Sequence, residues 1–412
     1  MSRIWTRAQK QAIESRNGTL LLSAAAGSGK TAVLVQRVIE LISDEKKPVD
    51  IDKLLIVTFT KAAANEMKER ISNALSKLID DNPFDKHLQR QQLMLSRARI
   101  CTIHSFCTQI IKANFEKLGV SADFRVADSN EMNVIRVEAL QCIIDELYEE
   151  KSEDFLILSE SFSKGRDDKI LLETVETVYD FVRSYPCMDR WFKEKLRLFD
   201  VNEYNMRANI FIDTIIEYTK EAIDFCIDQT VYSLENIELD ENIKKAYGEA
   251  FNNDLYMLNN LKATINSGDW QEIRKLIYIF KDGMYKLKAL RGYSDDPIKI
   301  NVTNARSKVK KTIESLENLY VFSSDDILDD MKKLYPIVDK LFETVRRFSI
   351  KLDEMKAERK ILDYSDLEQI TLKLLVNSTD EGYKKTNDAL RISKEFFEIM
   401  VDEYQDTNED QD

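Results

Sequence analysis

Residues 24–31 read AAAGSGKT, and no other stretch of the 412-residue chain constrains its fold as strongly. The octapeptide stands between an apolar run, Thr19–Ser23 (TLLLS), and a helical pattern over Thr31–Ile42. Gly27 and Gly29 permit backbone angles that turn amide N–H groups toward an anion. A helix starting near Lys30 aims the positive end of its dipole at the same point. Strand, loop, Lys-Thr and helix in this order form a phosphate cradle. Ala24, Ala25, Ala26, Gly27, Ser28, Gly29, Lys30 and Thr31 are therefore the expected nucleotide-binding residues. The Lys30 ammonium would reach the β- and γ-phosphates of ATP, and the Thr31 hydroxyl would sit on Mg²⁺. The first position holds Ala24 where the strict pattern has glycine; a small residue still fits. The alternative is a Gly/Ser-rich turn without a ligand.

A loop of this kind belongs to an α/β sheet, and the first 128 residues supply one. Lys53–Phe59 (KLLIVTF) and Arg99–Ile103 (RICTI) read as further strands, and Ala62–Ile79 as a helix between them. This alternation predicts a parallel sheet with right-handed crossovers. The pattern changes near Asp128, which with Glu131 has capping-box spacing. From there to about Lys360 only amphipathic helices are predicted. Met132, Ile135, Ala139, Ile143 and Leu147 recur at helical intervals, as do Met331, Leu334, Val338, Leu341 and Val345; such stripes are core packing. Ser365 and Glu368, in DYSDLEQ, form a second capping-box pair. Strand character returns at Phe396–Val401. The predicted domains are an ATP-binding domain built from 1–128 and 356–412, and a helical insertion over 129–355. Scarce glycine and proline, 10 and 5 residues, agree with long helices.

The returning strand ends in Val401-Asp402-Glu403. Ligands of a parallel sheet collect beyond the carboxyl ends of its strands. Asp402 would hold Mg²⁺ opposite Thr31, and Glu403 would deprotonate the water attacking the γ-phosphate. Taken alone, two acids at a strand end are also an ordinary surface feature; the cradle and the following YQDTN favour the catalytic reading.

Two further loops follow predicted strands. VTFTKAAANEMKERI places Thr58, Phe59, Thr60 and Lys61 at a strand end before a helix, and TIHSFCTQII places His104, Ser105 and Phe106 likewise. Aromatics beside basic charge suit base stacking, and hydroxyls and amides suit phosphate contacts. Core packing for Phe59 and Phe106, a hydrogen-bonded structural role for His104, and a solvated helix face for Lys61, Lys68 and Arg70 are the competing readings. The net charge of −13 would repel a polyanion, but Ile51–Arg125 carries about +4, so the acidity lies elsewhere. Five cysteines without CxxC spacing and two histidines argue against structural zinc and for reduced, cytoplasmic thiols. The N-terminus lacks a signal-peptide core, and no apolar run of about 18 residues predicts a membrane span.

The order of these blocks resembles superfamily-one helicases of the UvrD/PcrA/Rep class. TRAQKQAI is similar to that family's Q motif, AAAGSGKT to motif I, VTFTKAAANEMKERI to motif Ia with Lys61 in place of the commoner Asn, TIHSF to the block that follows, and VDEYQDTN to motif II. The resemblance implies that Gln9 reads the adenine edge and that Gln405 joins Lys30 and Glu403 as a catalytic residue. RICTIHSFCTQIIKANFEKLGVSADFRVADSNE, FSKGRDD and ILDYSDLEQITLKLL further resemble the AddA family, the helicase–nuclease subunits of bacterial AddAB complexes. A RecA-like P-loop domain interrupted by an all-helical insertion is the implied fold. A 3′–5′ helicase acting on single-stranded DNA and duplex ends, paired with an AddB-type subunit, is the implied function. The resemblance also implies that a γ-phosphate sensor, a second RecA-like lobe with an arginine finger and a nuclease domain lie beyond residue 412. On that expectation the 412 residues alone bind nucleotide weakly and do not unwind DNA, since removing such an arginine typically costs about 10³-fold or more. A stand-alone UvrD-type or RecB-like helicase, a P-loop small-molecule kinase and a non-catalytic interaction module are the rival readings. The kinase reading leaves VTFT and TIHSF without a purpose.

Overall fold

The computed structural model describes residues 4–25, 27–162, 167–202, 209–379, 382–408 and 411. They form two compact units. One comprises Met1–Lys151, Phe162–Trp191 and Thr344–Asp412; the other comprises Ser152–Ser161 and Phe192–Glu343.

In the first unit the chain runs through α1 (Arg7–Glu14), α2 (Lys30–Ile42), β1 (Leu54–Thr58), α3 (Lys61–Asp81), α4 (Lys86–Met94), β2 (Arg99–Thr102), α5 (Ile103–Ala113), α6 (Phe115–Leu118), β3 (Arg125–Val126) and α7 (Ser129–Glu150). Strands β1 and β2 pair in parallel. The strand β7 (Glu398–Val401), some 340 residues later, pairs in parallel with the other side of β1, giving the order β2-β1-β7. All five residues of β1 (LLIVT) are buried, as a central parallel strand covered on both faces requires. Ile56 and Met400 join Val38 and Ile42 of α2 and Met67, Ile71 and Leu75 of α3 in one apolar core.

The expected strand at Thr19–Ser23 is not formed. Leu20, Leu21 and Leu22 are 47%, 72% and 44% exposed and outside every sheet. Both edges of β1 are already taken, and among the described residues no strand pairs with the outer edge of β7. An extended segment without a ladder partner leaves its backbone groups to water, so nothing converts apolar character into a strand.

Four short strands, in turn, escape the sequence reading. β4 (Ile361–Leu362) pairs in parallel with β3, and β5 (Val376–Thr379) pairs antiparallel with β6 (Gly382–Lys385). Strands of two to four residues carry too little periodicity to detect.

The capping boxes also differ from expectation. Asp128 caps α7, accepting from the Asn130 and Glu131 amides at 2.9 Å each, but the Glu131 carboxylate turns to Arg125 at 2.6 and 2.7 Å. Helix α16 (Tyr364–Leu375) begins one residue before Ser365. Asp363 is its N-cap, and Asp366 closes a reciprocal box at 2.8 Å in both directions. An aspartate cap with an aspartate three residues on satisfies the same two orphan amides, which frees Glu368 for other contacts.

Between α7 and β4 the regular elements among the described residues are all helices. The second unit contains α8 (Glu153–Phe162) through Ser161 and the helices α11 (Ile210–Ile237), α12 (Glu241–Ile265), α13 (Trp270–Gly283) and α14 (Pro297–Leu319). Ile223, Cys226, Leu258, Leu261, Ile273, Ile277, Val309 and Ile313 fill its core. The remaining helices are α9 (Lys169–Val182), α10 (Met188–Leu196), α15 (Ser324–Glu358) and α17 (Asn387–Ser393). The stripe of α7 is buried throughout; that of α15 is buried at Leu341 and Val345, while Leu334 faces solvent.

A buried charge network ties three helices of the first unit. Arg183, 7% exposed, donates to both Asp363 oxygens at 2.8 Å and to Asp366 at 2.7 Å, and Lys356 reaches Asp366 at 2.6 Å. Burial alone would raise the Asp363 carboxyl, but the Arg183 hydrogen bonds and charge hold it well below the usual carboxylate range. Burial, with the neighbouring Asp363 charge, raises Asp366.

Candidate nucleotide and nucleic-acid site

The parallel register brings three strand ends to one edge. Thr58 lies beside Thr102, and Val57 lies beside Val401. Phe59-Thr60-Lys61, His104-Ser105-Phe106 and Asp402-Glu403 therefore all follow the carboxyl edge of one sheet.

The loop at 24–31 is built by its neighbours as much as by its glycines. Gly27 (φ 77°) and Gly29 (φ 90°) occupy the left-handed region, where an L side chain is strained, and Gly29 is the N-cap of α2. Ala24 and Ala25 are exposed, and Ala26 lies outside the described residues. The Lys30 ammonium donates to the Ala24 carbonyl at 3.0 Å, so its charge lies over its own loop. Gln9 accepts from the Thr6 amide through Oε1 at 2.9 Å and donates through Nε2 to the Ser28 carbonyl at 3.1 Å. The same side chain that closes the α1 capping box thus ties α1 to the loop. Arg37 of α2 completes the frame with a bidentate pair to Glu398 of β7 at 2.5 and 3.0 Å and a bond to the Ala12 carbonyl at 2.6 Å. Neither half of that pair was marked by any sequence motif.

Asp402 continues the ladder, its amide donating to the Val57 carbonyl at 2.9 Å. Burial and the adjacent Glu403 charge push its carboxyl up, while the Glu403 amide and the charges of Lys30 and Arg70 oppose the rise. The Arg37–Glu398 pair holds the helix that Lys30 opens against the strand that Asp402 follows. Glu403 is exposed, adopts φ 55° and accepts a hydrogen bond from the Gln405 amide group. Among the described residues no group of three or more His, Cys, Asp or Glu could cage a metal ion. One carboxylate with a half-buried Thr31 hydroxyl fits magnesium, which keeps several waters and takes phosphate oxygens as ligands.

At the end of β1, Thr58 is buried and donates to the Thr60 carbonyl at 3.1 Å. Thr60 caps α3 through the Ala63 amide at 3.0 Å. Phe59 projects from this turn, 61% exposed, and Lys61 beside it is exposed. A large ring held in water at a strand end is the geometry of a stacking platform. His104, Ser105 and Phe106 lie in the first turn of α5 rather than in a loop. Thr102 caps that turn, and its hydroxyl meets the Ser105 hydroxyl at 2.9 Å. Phe106 is half-buried and packs edge-on against Phe396, with ring centroids 6.0 Å apart. His104 meets the buried Glu368 at 3.0 Å and tilts against the Tyr364 ring at 4.8 Å.

Comparison with known proteins gives a consistent picture. The UvrD/REP helicase N-terminal domain family matches residues 5–412. Proteins named as the A subunit of an ATP-dependent helicase/nuclease are similar over 98% of the chain, at 36% identity in Clostridium botulinum (strain Alaska E43 / Type E3) and in Thermoanaerobacter pseudethanolicus, and at 34% in Clostridioides difficile (strain 630). The alignment covers 33%, 33% and 32% of those proteins, so the chain spans about a third of their length.

Proposed function

Because the chain belongs to the UvrD/REP helicase family, we propose that it forms the first motor portion of an AddA-type ATP-dependent 3′–5′ DNA helicase/nuclease. In this reading residues 1–128 and 356–412 form a RecA-like ATP-binding domain and residues 129–355 a helical insertion. The protein works on single-stranded DNA and duplex ends in double-strand-break processing, in the cytoplasm, beside an AddB-type partner. The relatives' name, which makes them the A member of a helicase/nuclease, supports the activity and the existence of a second chain.

The observation that carries the nucleotide part is geometric. The bidentate Arg37–Glu398 pair ties α2, the helix that Lys30 opens, to β7, the strand that Asp402 follows, although 361 positions separate the two partners in the chain. Gly29, Lys30 and Thr31, at the start of α2, present backbone amides and the helix dipole to a triphosphate. Lys30 exchanges its Ala24 carbonyl for phosphate oxygen. Thr31 and Asp402 would hold magnesium, whose charge offsets that on the transferring phosphoryl group. Glu403 is placed to take the proton of the attacking water, and Gln405, bonded to it, orients its carboxylate. Gln9, anchored on Ser28, stands at the loop's flank where a base would lie.

For the polynucleotide, Phe59 offers a stacking face, and Thr60, Lys61, Ser105 and His104 offer phosphate contacts. Phe106 supports this edge from within α5. The test is ATP hydrolysis by the full-length protein with and without single-stranded DNA, together with anisotropy of a labelled oligonucleotide. The reading predicts DNA-stimulated turnover and salt-sensitive binding. Hydrolysis indifferent to DNA, with no oligonucleotide binding, would favour a small-molecule kinase instead.

A further inference from the structure

Glu368 sits in the first half of α16. The sequence marks it only as a capping partner, and no motif gives it a part in binding. Its side chain is 7% exposed. Among the described residues no lysine or arginine pairs with it. Its Oε1 accepts from His104 Nε2 at 3.0 Å and from the Gln411 amide at 2.6 Å. Two donors converging on one oxygen fix the carboxylate rotamer, and the Asp363–Asp366 box fixes the helix that carries it. The His104 ring is held on its other side by Tyr364.

A ring nitrogen bonded to a carboxylate must carry a proton. His104 Nε2 is therefore the donor, and Nδ1, which has no protein partner among the described residues, is the nitrogen left for a ligand. With Nε2–H committed to the carboxylate, the ring can donate to a phosphate only through Nδ1–H. An imidazolium with one N–H committed to a carboxylate and the other available is a phosphate donor. His104 is 32% exposed, at the edge where Phe59 and Lys61 also stand.

We propose that Glu368 is a positioning residue for polynucleotide binding: it orients His104 so that Nδ1–H donates to a backbone phosphate of the single strand. The inference rests on the functional reading above and adds a residue to it.

The experiment measures single-stranded oligonucleotide affinity of the full-length protein across a salt series, for the unsubstituted protein, Glu368→Ala, Glu368→Gln, His104→Ala and the Glu368→Ala/His104→Ala double variant. Nucleotide affinity and thermal unfolding are measured alongside. Each single alanine variant should weaken DNA binding about tenfold and flatten the salt dependence by one phosphate contact, about 0.7 in log–log slope for a single strand. The double variant should be no weaker than either single, because the two residues make one contact. Glu368→Gln keeps the hydrogen-bond geometry without the charge, so it should fold as the parent does and show the reduced slope. A salt slope unchanged in both Glu368→Gln and His104→Ala, or fully additive losses in the double variant, would overturn the inference while leaving the helicase reading intact. Absence of oligonucleotide binding by the unsubstituted protein would overturn both.

Discussion

At the scale of single residues, the site divides into groups that act by charge and groups that act by shape. Lys30 acts by charge. Lys30→Ala should remove tight ATP binding while leaving the unfolding temperature within about 2 °C, since among the described residues the ammonium's hydrogen bond is to its own loop. Glu403→Gln should bind ATP as the parent does and stop hydrolysis, because the amide cannot accept the water's proton. Phe59 acts by shape. Its exposure means Phe59→Ala creates no cavity, so any loss of single-strand affinity reports stacking, roughly 1–3 kcal/mol. Unaltered DNA affinity in that variant would return Phe59 to the role of a bystander. The cysteines give an independent check on burial. Burial pushes the Cys107 thiol up to about 11 and Cys226 to about 12, whereas Cys142 is exposed. Timed alkylation followed by mass spectrometry should label Cys142 first and Cys107 and Cys226 last.

At the scale of elements, local chemistry was readable where one residue type had one use. The helix after Gly29 and the strands Leu54–Thr58 and Glu398–Val401 could be read because apolar runs next to glycine or acids admit few alternatives. α16 starts two residues earlier than the sequence predicts, since DYSDLE offers two capping pairs, Asp363 with Asp366 and Ser365 with Glu368, and only packing decides between them. The Thr19–Ser23 run shows the converse limit: apolar character states a preference, and a strand exists only when a neighbour supplies its ladder. Arg183 illustrates a contribution no motif announces. Removing it would leave Asp363 and Asp366 buried with Lys356 alone, and breaking such a network typically costs about 3–5 kcal/mol. Asp363 is held below its unfolded value, so its contribution is present above the ordinary carboxylate range and is lost as pH falls through about 4 and below. Asp366, raised by burial, works in the opposite sense, so thermal unfolding from pH 3 to 7 should show the parent losing stability on the acid side through Asp363, partly offset by Asp366. Arg183→Ala should be less stable at neutral pH and show a flatter acid limb; parallel curves would contradict the assignment.

At the scale of the whole molecule, sequence order and spatial order differ, and the difference organises the protein. β1 and β2 from the start of the chain and β7 from its end form one sheet, while the helices of the second unit form a core of their own. Among the described residues no helix is long and apolar enough to cross a membrane. The match to the UvrD/REP family runs through this whole arrangement, helices included, from residue 5 to residue 412. What the sequence could not supply was the set of cross-links: Arg37 with Glu398, Gln9 with Ser28, and His104 with Glu368 join positions 19 to 361 residues apart, and a single sequence records no contact at that range. The central claim is that the loop at Lys30 and the acids at Asp402–Glu403 serve one magnesium nucleotide. Calorimetric titration of ATP into the full-length protein, with and without Mg²⁺, tests it directly for the parent, Lys30→Ala, Asp402→Asn and the double variant. Binding that Mg²⁺ strengthens in the parent, loss of that strengthening in Asp402→Asn, and a double variant no worse than Lys30→Ala are the predicted results. Asp402→Asn with Mg²⁺ dependence intact, and losses that simply add, would show that the two ends of the chain do not share a ligand.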